Sequence, residues 1–203
     1  MSSAFAPLPG TTPAARGLFI DLWGTLVERP PNGEARSLEE FRLTEGAADA
    51  MYFAHRANWR LYIVGNVESV AFGRTSDEEW AQMEQHLLQQ LENAGCVLTR
   101  NYLCLEHPNG RGKHRAQSVF QQPNTGAFYH AALTDEIDLE QSWMLADSTE
   151  DLVSGWRAGL RLAGVRTGLA LGDRSFDLEP ELISRDLASA LDSLRDGGAR
   201  MAG

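Results

Sequence analysis

Gly17-Leu-Phe-Ile-Asp-Leu-Trp-Gly-Thr-Leu26 is the stretch that decides the fold. Leu18 to Ile20 is a short apolar run, of the kind that forms a strand buried on both faces. It ends in a carboxylate, Asp21, and the Gly24-Thr25 pair then turns the chain. An apolar strand that delivers an acid to the lip of a sheet places that acid where open α/β sheets bind ligands, in the crevice at the carboxyl ends of the strands.

Outward from this stretch, strands and helices alternate. Leu61-Tyr-Ile-Val64, Asn101 to Leu105, Ser142 to Leu145 and Leu162 to Val165 read as further strands. A helix is expected over about 44–57, capped by Thr44, with Ala47, Ala48, Met51 and Ala54 at helical spacing. Ser76-Asp-Glu-Glu79 has the form of a capping box. It opens a long helix to about Ala94, with Trp80, Met83, Leu87, Leu88 and Leu91 on one face and Gly95 as its stop. Gly126 to Leu133, Glu150 to Gly159 and Glu181 to Leu194 read as helices as well. The alternation predicts an α/β fold with a doubly wound, mostly parallel sheet of five strands. Residues 1–16, rich in Ala, Pro, Ser and Thr, are expected as a flexible leader, 17–195 as a single domain and 196–203 as a frayed tail. Residues 27–37 read as a polar loop.

Composition narrows the function classes. With 203 residues, 43% of them hydrophobic, the chain can bury one good core. A net charge of −10 argues against nucleic acid or anionic membrane as partner. Its one basic cluster, Arg111, Lys113, His114 and Arg115, falls on an expected loop. Two cysteines make no disulfide framework. No apolar run approaches the ~18 residues of a membrane span, and Met1 to Gly10 lacks the form of a secretory signal. The expectation is a cytoplasmic monomer whose partner is a small molecule.

Asp21-Leu-Trp-Gly-Thr25 resembles the first motif of the haloacid dehalogenase (HAD) superfamily, Asp-x-Asp-Gly-Thr. The resemblance makes Asp21 the aspartate nucleophile and puts Trp23 where the family's phosphatases carry a general acid and base. The closest subgroup is the histidinol-phosphate and heptose-bisphosphate phosphatases. Gly65-Asn-Val-Glu-Ser-Val-Ala-Phe-Gly73 follows their pattern after the second strand. Gly65 stands in place of the phosphate-binding hydroxyl, Asn66 is retained, and Phe72 replaces an arginine. Gln121-Gln-Pro-Asn-Thr-Gly126 matches the third element, with Gln122 in place of its lysine. Ala146-Asp-Ser-Thr-Glu-Asp151 matches the fourth and keeps both carboxylates. Glu45 to Ala50 and Val165 to Gly168 match flanking segments, so the resemblance extends over about residues 17–169.

The resemblance implies a HAD-like Rossmannoid domain, and the short gap from residue 26 to 43 leaves no room for a separate helical cap. It implies a Mg²⁺ site made of Asp21, Asp147 and the backbone carbonyl of Trp23, with Asp151 behind them. The plainer alternative is that Asp147 and Asp151 cap the following helix. The subgroup's zinc site is represented by Cys104, Glu106, His107 and His114 and lacks its later cysteines, so zinc is not expected. Dehalogenases of the family carry an aromatic residue where Trp23 sits, but they also use the lysine that Gln122 replaces. Two readings of function follow. The first is a catalytically impaired or repurposed phosphatase fold whose pocket, ringed by Trp23, Phe72, Gln121 and Gln122, binds a small molecule or a protein. The alternative is an active Mg²⁺-dependent hydrolase of a small phosphorylated metabolite with Asp21 as nucleophile.

Overall fold

The computed structural model describes residues 14–200, with side chains to residue 195. The order is β1 (Ala15–Asp21), α1 (Ala47–Arg56), β2 (Trp59–Asn66), α2 (Glu68–Ala71), α3 (Asp77–Asn93), β3 (Arg100–Cys104), α4 (Gly126–Asp135), β4 (Ile137–Ala146), α5 (Thr149–Arg157), β5 (Arg161–Val165), β6 (Leu182–Ser184) and α6 (Leu187–Arg200). The strands form one sheet in the order β3-β2-β1-β4-β5-β6, and every pairing is parallel.

Alternation along the central strands feeds two cores. Leu18, Ile20, Leu61, Ile63 and Leu145 face Met51 of α1, Trp80 and Leu87 of α3, and Leu187 of α6. Phe19, Tyr62, Val64 and Met144 face Phe128 and Ala131 of α4 and Leu152 of α5. Parallel sheets are covered on both faces in this way, which is why their strands read as continuous apolar runs. Phe19 stacks on Tyr62 with ring centroids 4.5 Å apart and meets Phe128 edge-on at 4.8 Å.

The strand order locates the site. β1 has β2 on one side and β4 on the other. The chain leaves β1 toward the α1 layer and leaves β4 toward the α5 layer. The crevice between the two departing segments is the topological switch point of the sheet. Asp21 closes β1 and Asp147 follows β4 directly, so both open onto it.

Several expectations need correction. The sheet has six strands, not five. Leu182 to Ser184 lies inside the stretch expected as the last helix and pairs instead with Ala163 to Val165. α6 starts only at Leu187, where the Asp186 carboxylate accepts from the Ser189 amide at 2.8 Å. Thr44 does not cap α1. Its hydroxyl donates to the Thr25 carbonyl at 2.8 Å, and Gly46 takes the cap position. β1 begins at Ala15, within the stretch expected as leader, and α6 runs to Arg200, within the expected tail. Residues 1–13 and 201–203 lie outside the described residues. The capping box of α3 is formed in both directions between Ser76 and Glu79.

Phe19→Ala removes a fully buried ring that two other aromatics pack against. The expected cost is about 3–5 kcal/mol, read as a lower urea midpoint at unchanged slope.

Candidate active site

The turn after β1 is closed by backbone bonds. Leu26 N donates to the Asp21 carbonyl at 3.1 Å, Val27 N to the Leu22 carbonyl at 2.8 Å, and Gly24 N to the Val27 carbonyl at 2.7 Å. This turn leaves the Asp21 carboxyl at the crevice and sends the Trp23 ring the other way. The indole sits 5.8 Å from Phe41 and 6.3 Å from Trp80, centroid to centroid, and its Nε1 donates to the Asn66 carbonyl at 3.0 Å. Position 23 therefore serves the core with its side chain and the crevice with its backbone carbonyl.

Across the crevice, Asp147 is buried and does not cap α5. The cap is the Ser148 hydroxyl, which accepts from Asp151 N at 3.1 Å. The Asp173 carboxylate takes the amides of Thr149 at 2.9 Å and Glu150 at 3.2 Å. Asp147 is thereby left to the crevice. Its Oδ2 accepts from Leu169 N at 2.7 Å and from Arg29 Nε at 3.0 Å, and its Oδ1 accepts from Arg29 Nη2 at 3.0 Å. Two glycines allow this fit. Gly24 (φ +80) and Gly168 (φ +54) lie so close that a Cβ on either would fall 2.0 Å from Asp147 Oδ2.

One carboxylate oxygen each from Asp21, Asp147 and Asp151 lies within 4.8 Å of the others. Among the described residues this is the one such group of three or more potential metal ligands. Burial, then the charges of Asp151 and Asp147, hold the Asp21 carboxyl well above the usual carboxylate range, while Arg29 pulls it back. Burial pushes Asp151 up to about 6 against a hydrogen bond from Ser148. Burial also raises Asp147, opposed by the Arg29 hydrogen bond. Asp21 Oδ2 is buried without a partner. An orphaned carboxylate oxygen beside two more carboxylates and the Trp23 carbonyl is a hard, all-oxygen donor set, and these residues fit Mg²⁺.

Other expected site residues fall in different places. Gly65 lies beside Asp21, where a Cβ would be 3.6 Å from Asp21 Oδ1. Asn66 braces the site. Its Nδ2 donates to the Gln122 carbonyl and its Oδ1 accepts from Gln122 N, both at 2.9 Å. The Gln122 side chain is buried and donates to Ser154 Oγ at 3.1 Å. Phe72 stays out of the crevice, its ring 4.8 Å from that of His107. Gln121 lines a separate surface cleft with Pro108 and Tyr129. Of the expected pocket residues Trp23 and Asn66 line the cleft of about 280 Å³, which is otherwise mostly charged, with Asp21, Arg29, Glu34, Arg74, Asp151 and Asp173 among its walls. The four residues Cys104, Glu106, His107 and His114, from which no zinc site was expected, do not converge. Cys104 Sγ lies 3.4 Å from Glu106 Oε2, His107 Nδ1 accepts from Asn109 N at 3.0 Å, and His114 Nε2 pairs with Asp77 at 2.9 Å. Lys113 also pairs with Asp77, at 3.0 Å, which ties the basic loop to the start of α3.

Arg29, Glu34 and Arg74 were not legible as site residues. Arg29 and Glu34 sit in the polar 27–37 loop, and the one available signal was a cation eight residues beyond an acidic motif. Arg74 lies two residues past the position where the resemblance looks for an arginine, with its guanidinium 5.2 Å over the Phe72 ring.

A family model described as HAD-hydrolase-like matches residues 119–190. A D-glycero-beta-D-manno-heptose-1,7-bisphosphate 7-phosphatase of Haemophilus ducreyi is 30% identical over 168 residues, covering 80% of this chain and 91% of that protein. A D-glycero-D-manno-heptose-1,7-bisphosphate 7-phosphatase of Chlorobaculum tepidum is 27% identical over 161 residues, covering 76% and 80%. Among solved structures, a D,D-heptose 1,7-bisphosphate phosphatase from B. bronchiseptica, complexed with magnesium and phosphate, superposes with a TM-score of 0.79. It is 19% identical, and the match covers 90% of this chain and 99% of that one.

The acid cluster sets a pH dependence. A carboxyl whose folded pKa is raised stabilises the fold while protonated, and that contribution is lost as pH rises through the folded value. With Mg²⁺ chelated, ionisation of Asp151 should lower stability by about 1 kcal/mol between pH 5 and 7, the earlier part of the loss falling below pH 5. The carboxylates held low, Asp77, Asp135 and Asp186, change only below the usual carboxylate range. Urea unfolding of wild type and Asp151→Asn across this window checks the assignment, and the variant should show a smaller slope, the remainder coming from Asp21 and Asp147.

Proposed function

This chain belongs to the HAD-like hydrolase family, and on that premise we propose that it is a Mg²⁺-dependent phosphohydrolase of a small phosphorylated metabolite with Asp21 as its nucleophile. The observation that carries the reading is the buried, unpartnered Asp21 oxygen facing Asp147 and Asp151 at the switch point of the sheet. The relatives named as heptose-bisphosphate 7-phosphatases support a sugar phosphate as the substrate class. Asp21, Asp147 and the Trp23 carbonyl, with Asp151 behind, would hold Mg²⁺, which would supply positive charge to the phosphoryl oxygens and let the buried acids ionise together.

Asp21 attacks phosphorus, the bond to the leaving oxygen breaks, and an aspartyl phosphate forms on Asp21. Water then attacks that phosphorus, releasing inorganic phosphate and the free carboxylate. Arg74, on the cleft wall, is placed to meet the phosphoryl group with a charge-assisted donor. Position 23 supplies no proton, because indole does not titrate as an acid and its N–H is already bonded to Asn66. The leaving oxygen must therefore take its proton from solvent. General acid help is worth about 10²–10⁴-fold, so the enzyme turns over alkyl phosphates, sugar phosphates among them, slowly, and esters whose leaving group needs no proton faster. The same vacancy of function slows attack of water on the aspartyl phosphate.

A second reading, a scaffold that binds without turning over, is favoured by Trp23, Gly65 and Gln122 together. The kinship outweighs it, because the acid trio is intact. The two free, buried thiols, Cys96 and Cys104, suit the cytoplasmic setting of this proposal, and among the described residues no helix is long and apolar enough to cross a membrane.

A series of aryl and alkyl phosphates of graded leaving-group acidity, assayed with Mg²⁺, tests the reading. Turnover should rise with leaving-group acidity and then level off, a burst of released alcohol should appear on the plateau where hydrolysis of the aspartyl phosphate limits, and Asp21→Asn should abolish both. Turnover that survives Asp21→Asn, or no turnover of any member, removes the proposal and leaves the binding scaffold.

A further inference from the structure

The crevice already contains a cation of the chain's own. Arg29 Nε and Nη2 engage both oxygens of Asp147 at 3.0 Å, and Nη2 also donates to the Trp23 carbonyl at 2.9 Å. Those acceptors are two of the three groups assigned above to Mg²⁺. The third, Asp21, contributes an oxygen that no donor reaches. The guanidinium thus sits on the ion's seat without satisfying all of it. A planar fork matches one carboxylate, whereas a small divalent ion draws several oxygens to itself at once.

The segment carrying Arg29 is fastened on both sides. Glu28 N donates to the Arg42 carbonyl at 2.8 Å. Further on, the Glu34 carboxylate accepts from the amides of Glu68 at 3.0 Å and Ser69 at 2.8 Å. The backbone is therefore held while the Arg29 side chain, 20% exposed, has a path to the mouth of the cleft.

We propose that Arg29 is the resident counter-ion of this crevice, seated on Asp147 and the Trp23 carbonyl until Mg²⁺ displaces its guanidinium toward solvent, so that the chain sets its own threshold for Mg²⁺. The proposal rests on the Mg²⁺ reading of the site. Arg29 holds the acidic cluster together in the ion-free protein, and the ion binds only the fraction of molecules in which the seat is open. Apparent affinity is reduced by that fraction. Arg29→Gln removes the competitor and keeps a polar side chain of similar length. Arg29→Lys keeps the charge but cannot engage both Asp147 oxygens and the carbonyl as a fork.

Calorimetric titration of chelator-treated wild type, Arg29→Gln and Arg29→Lys with MgCl₂, alongside thermal unfolding, tests it. Arg29→Gln should bind Mg²⁺ about tenfold more tightly, melt below wild type without the ion, and gain more from its addition. Arg29→Lys should fall between, and it serves alone if the glutamine variant does not fold. Equal or weaker Mg²⁺ binding by the variants, with wild type binding normally, overturns the role of Arg29 and leaves the Mg²⁺ reading standing. No binding to wild type or variants at millimolar Mg²⁺ overturns both.

Discussion

Three carboxylates crowded together at the floor of one crevice repel one another, and the fold around them is organised by the need to answer that repulsion. Charges this close interact far more strongly than they do in water, and burial penalises each ionised form further. The structure responds by sharing protons and by bringing in a guanidinium. Asp21 and Asp151 are held above the usual carboxylate range, while Arg29 is drawn inward against the desolvation that opposes its own charge. The strand order makes the conflict unavoidable, because β1 and β4 are neighbours and each ends in an acid. A protein without use for the arrangement gains nothing by keeping it.

Trp23 shows how one position divides between stability and chemistry. Its ring joins Phe41 and Trp80 under the crevice floor, a cluster of the kind whose truncation typically costs about 3–5 kcal/mol. Its carbonyl points the other way, into the acid cluster, where the identity of the side chain does not matter. The turn can thus exchange a proton donor for a wedge of core without disturbing the donors around it. Under the proposed mechanism what changes is the demand on the substrate, whose leaving group has to depart without help from this residue.

The sequence was most readable where one segment determines its own structure. The β1 run, the capping box at Ser76 and Glu79 and the long apolar face of α3 rely on neighbours within a turn or two. Asp21, Asp147 and Asp151 were legible through their resemblance to spaced motifs that strand topology brings together. Arg29 was hidden because its partner lies 118 residues away in the chain, and nothing in Glu28-Arg-Pro-Pro distinguishes a buried bidentate arginine from a solvated one. Phe72 and Gln121 were misplaced for the opposite reason. Position in an alignment was read as position in space, yet α2 turns Phe72 toward His107 and the loop before α4 turns Gln121 outward. The short β6 strand escaped because three residues at a sheet edge leave almost no periodic signal.

The glycine cradle around Asp147 has a kinetic consequence. Gly24 and Gly168 belong to turns at the carboxyl ends of β1 and β5, and they meet over a single carboxylate oxygen. A contact of such long sequence separation bears a large loop-closure cost and forms only when intervening segments are in place. The order of assembly is therefore built into the geometry. A nascent or partly folded chain can present the β1 acid, but it lacks the opposing half of the crevice. Exposure of an incomplete acidic pocket to metabolites is confined to the time before that closure, and competence to bind is acquired together with the native topology.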